Sequence, residues 1–276
     1  MEVELSERRI GFLGAGAMAG ALATGLVEAG VPTGHIAASD PDPERRRALE
    51  AHPGIETLAE NAELVARSDV VVLAVKPPLV APVLEALTAI RDLDCARPLW
   101  VSIAAGIPVS RLAATLPPGA RIVRAMPNTP ALVGSGATAF VAGPGTEGVD
   151  RATARALFES VGLAWEAPQE ALLDAVTGLS GSGPAFVLVF LEALGDAGER
   201  VGLPREAAER LALQTLLGTA RLVQETGRDP ASLRNQVTSP GGTTIEGLGR
   251  LEAGGLRATV HDAVQAATRR SRELGG

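Results

Sequence analysis

The chain has 276 residues, 46% of them apolar and 21% charged, with a formal net charge of −7. This length suits one large α/β domain or two of ordinary size; the apolar share excludes a disordered chain, and the acidic balance argues against nucleic acid. With no tyrosine, one cysteine (Cys95), three scattered histidines (His35, His52, His261) and a single lysine (Lys76), the chain also lacks the material for a disulfide framework or a zinc site, so no metal is expected.

The start, Met1-Glu2-Val3-Glu4, is acidic and carries no basic-then-apolar leader. The first strand is expected at Arg9-Ile10-Gly11-Phe12-Leu13, followed at once by glycines and an uncharged helix over 17–29 that Gly30 ends. A second strand is expected over 35–39, and Asp42-Pro43-Glu44 then opens a helix, with Asp as its cap and Pro at its first position. Asn61 is expected to cap a short helix reaching Arg67. The β-branched run over 70–75 reads as a strand buried on both faces, and further strands are expected over 99–102, 121–125, 137–142 and 163–166. The rhythm is βαβ, repeated, which produces a mostly parallel sheet covered on both sides.

After residue 168 the rhythm stops, and 169–276 favours helix almost throughout. Two domains are therefore expected: 1–168, built on the sheet, and 169–276, helical. Two long uncharged stretches, 125–146 and 175–191, are broken by Gly, Pro, Ser, Thr or Asn, so neither is expected to cross a membrane, and a cytoplasmic protein is the expectation. The segment 184–194 is apolar nearly all round, and a helix without a polar face must be enclosed on every side. A buried seam between two subunits accommodates it; the alternative is the central helix of a monomeric bundle.

Gly14-Ala15-Gly16-Ala17-Met18-Ala19 matches G-x-G-x-x-A directly after a strand and at the start of a helix. Gly14 permits the tight turn, Gly16 lets the backbone approach a pyrophosphate, and Ala19 lets helix pack on strand, while the N–H groups of the first helical turn face the anion. The turn from Leu13 to Met18 is thus the candidate dinucleotide site; a close-packed turn in an Ala-rich chain is the bland alternative. Asp40 ends the second strand, 21 residues after Ala19, where a carboxylate can bind the ribose of NAD, but Arg45, Arg46 and Arg47 follow, and an arginine there could neutralise the 2′-phosphate of NADP. Lys76, in Val75-Lys76-Pro77-Pro78, sits at the carboxyl edge of the expected sheet, where ligands of open α/β folds bind. In Val237-Thr238-Ser239-Pro240-Gly241-Gly242-Thr243-Thr244, two glycines allow close backbone approach at a helix N-terminus ringed by hydroxyls, a site for a carboxylate. Read blandly, Ser239 is a helix cap and Pro-Gly-Gly a turn.

Taken with A-V-K-P at 74–77, R-A-M-P-N-T-P at 124–130 and T-G-L-S-G-S-G-P-A at 177–185, these motifs resemble pyrroline-5-carboxylate reductase, the last enzyme of proline biosynthesis, over nearly the whole chain and in order. The resemblance implies a Rossmann domain followed by an all-α domain that interlocks with a second copy, in a homodimer or ring of dimers. It also implies reduction of 1-pyrroline-5-carboxylate to proline with NADP(H), NAD(H) being possible. By the same resemblance, Asp40 and Asn61 lie near the adenosine ribose, and Ala74, Val75, Lys76 and Pro77, with Ile103, Ala104 and Ala105, contact the cofactor further along. Ser239, Gly241, Gly242, Thr243 and Thr244 hold the substrate, with the Thr244 hydroxyl at the ring nitrogen as the candidate catalytic group. Asp40 departs from the small or neutral residue common in the family and could favour NADH. Two rivals remain: a β-hydroxyacid dehydrogenase, which needs a lysine in the helical part where none follows Lys76, and a non-catalytic dinucleotide sensor, for which the 239–244 loop would be dispensable.

Overall fold

The computed structural model describes residues 4–50 and 54–275. Met1 to Val3, most of the acidic start, lie outside the described residues, as do 51–53, which include His52, and Gly276. The chain divides into two compact units, one made of the residues up to Gly181 together with those from Ala267, the other of Ser182–Ala266.

The first unit runs β1 (Ile10–Leu13), α1 (Ala17–Glu28), β2 (Ile36–Ser39), α2 (Pro43–Glu50), β3 (Glu56–Leu58), α3 (Asn61–Arg67), β4 (Val70–Leu73), α4 (Pro77–Thr88), β5 (Leu99–Ser102), α5 (Val109–Thr115), β6 (Arg121–Met126), β7 (Gly136–Ala142), α6 (Gly148–Glu159), β8 (Gly162–Glu166) and α7 (Leu172–Val176). The strands form one sheet in the order β3-β2-β1-β4-β5-β6-β7-β8. All neighbours are parallel except β6 and β7, which are antiparallel. The first six positions have the doubly wound order, with the switch point between β1 and β4.

The uninterrupted apolar runs follow from burial on both faces. In β4, Val70 and Val72 join the core on one side of the sheet and Val71 and Leu73 the core on the other, because successive side chains of a strand point to opposite faces. Trp100 of β5 is fully buried, and its indole N–H donates to the Cys95 carbonyl at 2.8 Å. Cys95 is itself buried in this core, and that burial, with Asp94 nearby, pushes its thiol up in pKa, so it serves as a small packing residue.

Three expectations need correction. The strand expected over 70–75 ends at Leu73, because Lys76 already caps α4 with Pro77 at its first position. Asn61 is the first residue of α3, not its cap; Glu60 holds the cap position, and the Asn61 side chain instead accepts from the Ser39 hydroxyl at 2.7 Å. The short edge strand β3 was not expected, for Glu56-Thr57-Leu58 has no apolar run of its own and is defined by pairing with Ala37–Ser39. The Asp42 cap, by contrast, is present: its carboxylate accepts from the Glu44 N–H at 2.9 Å.

The second unit holds α8 (Gly183–Arg200), α9 (Arg205–Thr226), α10 (Pro230–Gln236), α11 (Thr243–Ala253) and the first part of α12 (Leu256–Gly275). Only Gly195, Ala208, Ala212 and Leu233 are buried within 182–266. On α8, Leu188 is 57% exposed and Val189 64%, with Val187 and Phe190 also uncovered. This corrects the alternative of a monomeric bundle with α8 at its centre, since the chain does not enclose that helix. The helical stretch Leu172–Arg200, 29 residues, contains an 18-residue window of mean hydropathy 1.4 and so has the length and composition of a bilayer span. Between α7 and α8 the Gly- and Ser-rich segment forms a single π-helical turn, Thr177–Gly181.

Candidate functional site

The carboxyl ends of β1 and β4 open onto a cleft of about 1220 Å³, above the ~300–1,000 Å³ of ordinary small-molecule pockets and suited to an extended ligand. Gly14 adopts φ +101°, and a Cβ there would lie 2.9 Å from the Ala74 carbonyl oxygen, so the turn after β1 demands glycine. At Gly16, which caps α1, a Cβ would meet nothing within 4 Å. The glycine leaves open the space a ligand backbone-to-phosphate contact needs, and Ala19 behind it is fully buried against the sheet. Helix geometry leaves the N–H groups of Ala17, Met18 and Ala19 without intrahelical acceptors, and α1 has no acidic residue in its first turn to repel an anion.

The end of β2 clamps this turn. The Gly14 N–H donates to the Ser39 carbonyl at 2.7 Å, and the Ala15 N–H to Asp40 Oδ2 at 3.0 Å. Asp40 is 3% exposed, and its Oδ1 accepts from the Asp42 N–H at 2.9 Å. Of the three consecutive arginines, Arg46 donates to the Asp40 and Pro41 carbonyls at 2.7 and 3.2 Å. Arg45 borders the cleft with its guanidinium 3.7 Å from Asp40 and 3.6 Å from Asp42. Lys76 also borders the cleft, exposed, at the N-terminus of α4, so the ammonium and the helix end both favour an anion.

The cleft gathers Gly14, Ala15, Gly16, Ala17, Asp40, Asn61, Ala74, Val75 and Lys76 from the sequence-based set. Leu13 is buried beneath it in the sheet, and Met18, Pro77 and Ile103 to Ala105 do not line it. Ile103 follows β5, its N–H bonded to the Leu73 carbonyl at 3.2 Å. Sequence reasoning gave no role to Leu132, Val133 and Gly134, which form a further wall of the cleft just beyond R-A-M-P-N-T-P. Asn128 of that motif is buried; it donates to the Ser180 carbonyl at 3.1 Å and accepts from the Ala137 N–H at 2.8 Å, tying the loop to the π-helical turn. The signal was a polar residue pinned between prolines. The buried Arg124 adds an ion pair with Glu170 at 2.8 Å, and Glu170 also accepts from the Val109 N–H.

In the second unit, Ser239, Gly241, Gly242, Thr243 and Thr244 form the turn that starts α11. Gly241 has φ +68°, the left-handed region that favours glycine, and a Cβ on Gly242 would displace the Ser239 hydroxyl. The cap of α11 is Gly242, which corrects the reading of Ser239 as cap. The Gly242 N–H donates to the Ser239 carbonyl at 3.0 Å, so the N–H groups of Thr243 and Thr244 are the ones that begin the helix. The Ser239 hydroxyl lies close to Gly242, and the first N–H groups of the helix have no intrahelical acceptors: a helix start with chemistry suited to a carboxylate.

Residues 170–274 match the family model described as pyrroline-5-carboxylate reductase dimerisation, and residues 9–106 the one described as NADP oxidoreductase, coenzyme F420-dependent. The dimerisation match spans all of α8 and its bare apolar surface. The chain is 44% identical to the pyrroline-5-carboxylate reductase of Pseudomonas aeruginosa, covering 98% of each, and 46% identical to that of Glycine max, covering 96% of this chain and 95% of the other. It superposes on the Coxiella burnetii pyrroline-5-carboxylate reductase with a TM-score of 0.91 at 36% identity, covering 98% and 99% of the two chains. For the Plasmodium falciparum enzyme, solved with NADP bound, the TM-score is 0.87 at 31% identity, covering 99% and 100%. On this identity and coverage, the chain belongs to the pyrroline-5-carboxylate reductase family.

Proposed function

We propose that the chain reduces 1-pyrroline-5-carboxylate to L-proline, the closing step of proline biosynthesis, as a homodimer that uses NADPH in preference to NADH. The observation that carries this reading is the joint presence of the Gly14–Met18 turn over an open cleft and the Ser239–Thr244 turn at the start of α11. A nicotinamide dinucleotide suits the cleft: Gly16 leaves space where a Cβ would stand, and Arg45 and Lys76 supply positive charge at its border. When bound, that cofactor supplies the hydride.

This chain's residues do the rest. The N–H groups at the start of α1 hold the pyrophosphate, and Arg45 meets the 2′-phosphate that distinguishes NADPH. The Ser239 hydroxyl and the Thr243 and Thr244 N–H groups hold the substrate carboxylate. The Thr244 hydroxyl hydrogen-bonds the ring nitrogen and so orients the imine. A cyclic imine protonates readily, and its iminium is already electrophilic at carbon, so the reaction needs no strong acid. A chain without tyrosine and with one lysine is adequate for it. Its work is placement, which contributes through the entropy of bringing the reactants together. The exposed apolar surface of α8 is covered by the second copy; each such side chain left in water would forfeit about 1.5–3 kcal/mol of burial.

The test follows the absorbance of reduced nicotinamide on adding 1-pyrroline-5-carboxylate, with NADPH and NADH in parallel. Substrate-dependent oxidation, with the higher kcat/KM for NADPH, is expected. Oxidation of neither cofactor would overturn the activity, and a higher kcat/KM for NADH would overturn the preference.

A further inference from the structure

A carboxylate at the end of the second strand of a dinucleotide fold suggests a reader of the ribose hydroxyls, which would favour NADH. The hydrogen bonds around Asp40 point elsewhere. Its two carboxylate oxygens are both engaged by main-chain donors, Oδ2 by the Ala15 N–H at 3.0 Å and Oδ1 by the Asp42 N–H at 2.9 Å. Its own N–H donates to the Leu58 carbonyl at 3.2 Å and its carbonyl accepts from Arg46 at 2.7 Å. The side chain is 5% exposed, and Arg45 stands 3.7 Å away against its charge. Ala15 lies between the two glycines of the phosphate-binding turn, and the N–H before it, that of Gly14, is held by the neighbouring Ser39 carbonyl. The end of β2 thus fixes two consecutive N–H groups of the turn.

We propose that Asp40 is a positioning residue for the pyrophosphate-binding turn, acting on NADPH and NADH alike, and that it does not choose between them. The inference rests on the assignment of the cleft to a nicotinamide dinucleotide. The two cofactors share the pyrophosphate and differ only at the ribose 2′ position. A group that acts through the turn must therefore change both affinities by one factor, whereas a group that reads the ribose must change their ratio. An asparagine at this position keeps the size of aspartate but can accept only one of the two N–H groups, because its amide nitrogen faces the other as donor against donor.

The experiment is equilibrium titration of the full-length protein with NADPH and with NADH, followed by nicotinamide fluorescence, for the wild type, Asp40→Asn and Asp40→Ala. Asp40→Asn is expected to raise both dissociation constants by about tenfold, the effect of one charge-assisted hydrogen bond, with their ratio unchanged within about twofold. KM for 1-pyrroline-5-carboxylate at saturating cofactor should stay at the wild-type value, which separates loss of the turn from general damage. Should Asp40→Ala fail to fold, the near-isosteric Asp40→Asn carries the test, with its far-UV circular dichroism as the check. Weakening confined to NADH, tighter binding of NADPH, or no change in either affinity would each overturn the proposal. Because the readout is binding, a wild type that binds both cofactors without turning over would defeat the proposed activity alone. Turnover with a selective NADH loss would defeat this inference alone, and binding of neither cofactor would defeat both.

Discussion

The two units use their apolar residues in opposite ways. In the first, the sheet buries Ile10, Phe12, Leu13, Val70 to Leu73 and Trp100 between helices of the same chain, and both faces are closed. In the second, four residues within 182–266 are buried, and leucines and valines along α8 and α9 face outward. The contrast separates two uses of apolar surface: the first unit completes its core alone, whereas the helical unit leaves its apolar surface uncovered over residues that match the dimerisation family model. It also separates two kinds of site. The cleft of the first unit has its shape fixed within one chain by the clamp from β2, while the 239–244 turn stands on helices whose apolar surface the chain leaves uncovered.

Substituting the bare surface gives the largest expected effect. Leu188→Asp with Val189→Asp should weaken subunit association by more than about a hundredfold, since burying two such side chains is worth about 1.5–3 kcal/mol each and charge now opposes it. Sedimentation velocity reads this directly, and nucleotide affinity should be retained; an unchanged dimer would break the comparison. Acting on the other unit, Gly14→Val must force both a positive φ and contact with the Ala74 carbonyl. We expect about a hundredfold loss of cofactor affinity, of the order of the strain a β-branched residue meets there, with the oligomeric state intact by light scattering. Thr244→Ala should lower kcat about ten- to a hundredfold, at the weaker end of acid–base and orienting effects, while leaving cofactor dissociation constants alone; unaltered turnover would remove the role assigned to that hydroxyl. Arg45→Ala should raise KM for NADPH by about tenfold, as for one charge-assisted phosphate contact, and leave NADH nearly untouched.

The smallest effect concerns the cap of α10. The Asp229 carboxylate accepts from the Ser232 hydroxyl and N–H, and these bonds hold its pKa below the ordinary carboxylate value. A depressed pKa means the cap's contribution is complete above the unfolded-state value and is lost as pH falls through the folded one. Asp229→Ala should therefore lower Tm slightly at neutral pH, and the two melting curves should converge in acid. A difference that persists there would contradict the charge-dependent cap.

Much of this was legible in the sequence because the determinants are local. The Gly14–Ala19 turn, the β-branched strand β4 and the Asp42 cap each lie within one short window, where steric rules and side-chain period decide the outcome. The need of 184–194 for a covering was legible too, since it offers no polar face to water; that its own chain does not supply it is shown by the exposure of Val187 to Phe190. What stayed hidden depends on distant pairing. β3 exists because Ala37 to Ser39 present an open edge. The engagement of Asp40 by Ala15 spans 25 residues and that of Asn128 by Ser180 spans 52. From its position at the end of the second strand Asp40 reads as a ribose ligand; only its hydrogen-bond partners make it part of the turn. Ser239, likewise, has the chemistry of a cap, but the positive φ of Gly241 carries the chain one turn further and gives that position to Gly242.

The most direct test of the account is the stoichiometry of the reaction, measured as proline formed against NADPH consumed when the purified protein meets 1-pyrroline-5-carboxylate. The account requires one proline for each NADPH oxidised, with no oxidation in the absence of the imine. NADPH loss without proline, or no loss at all with either cofactor, would contradict it.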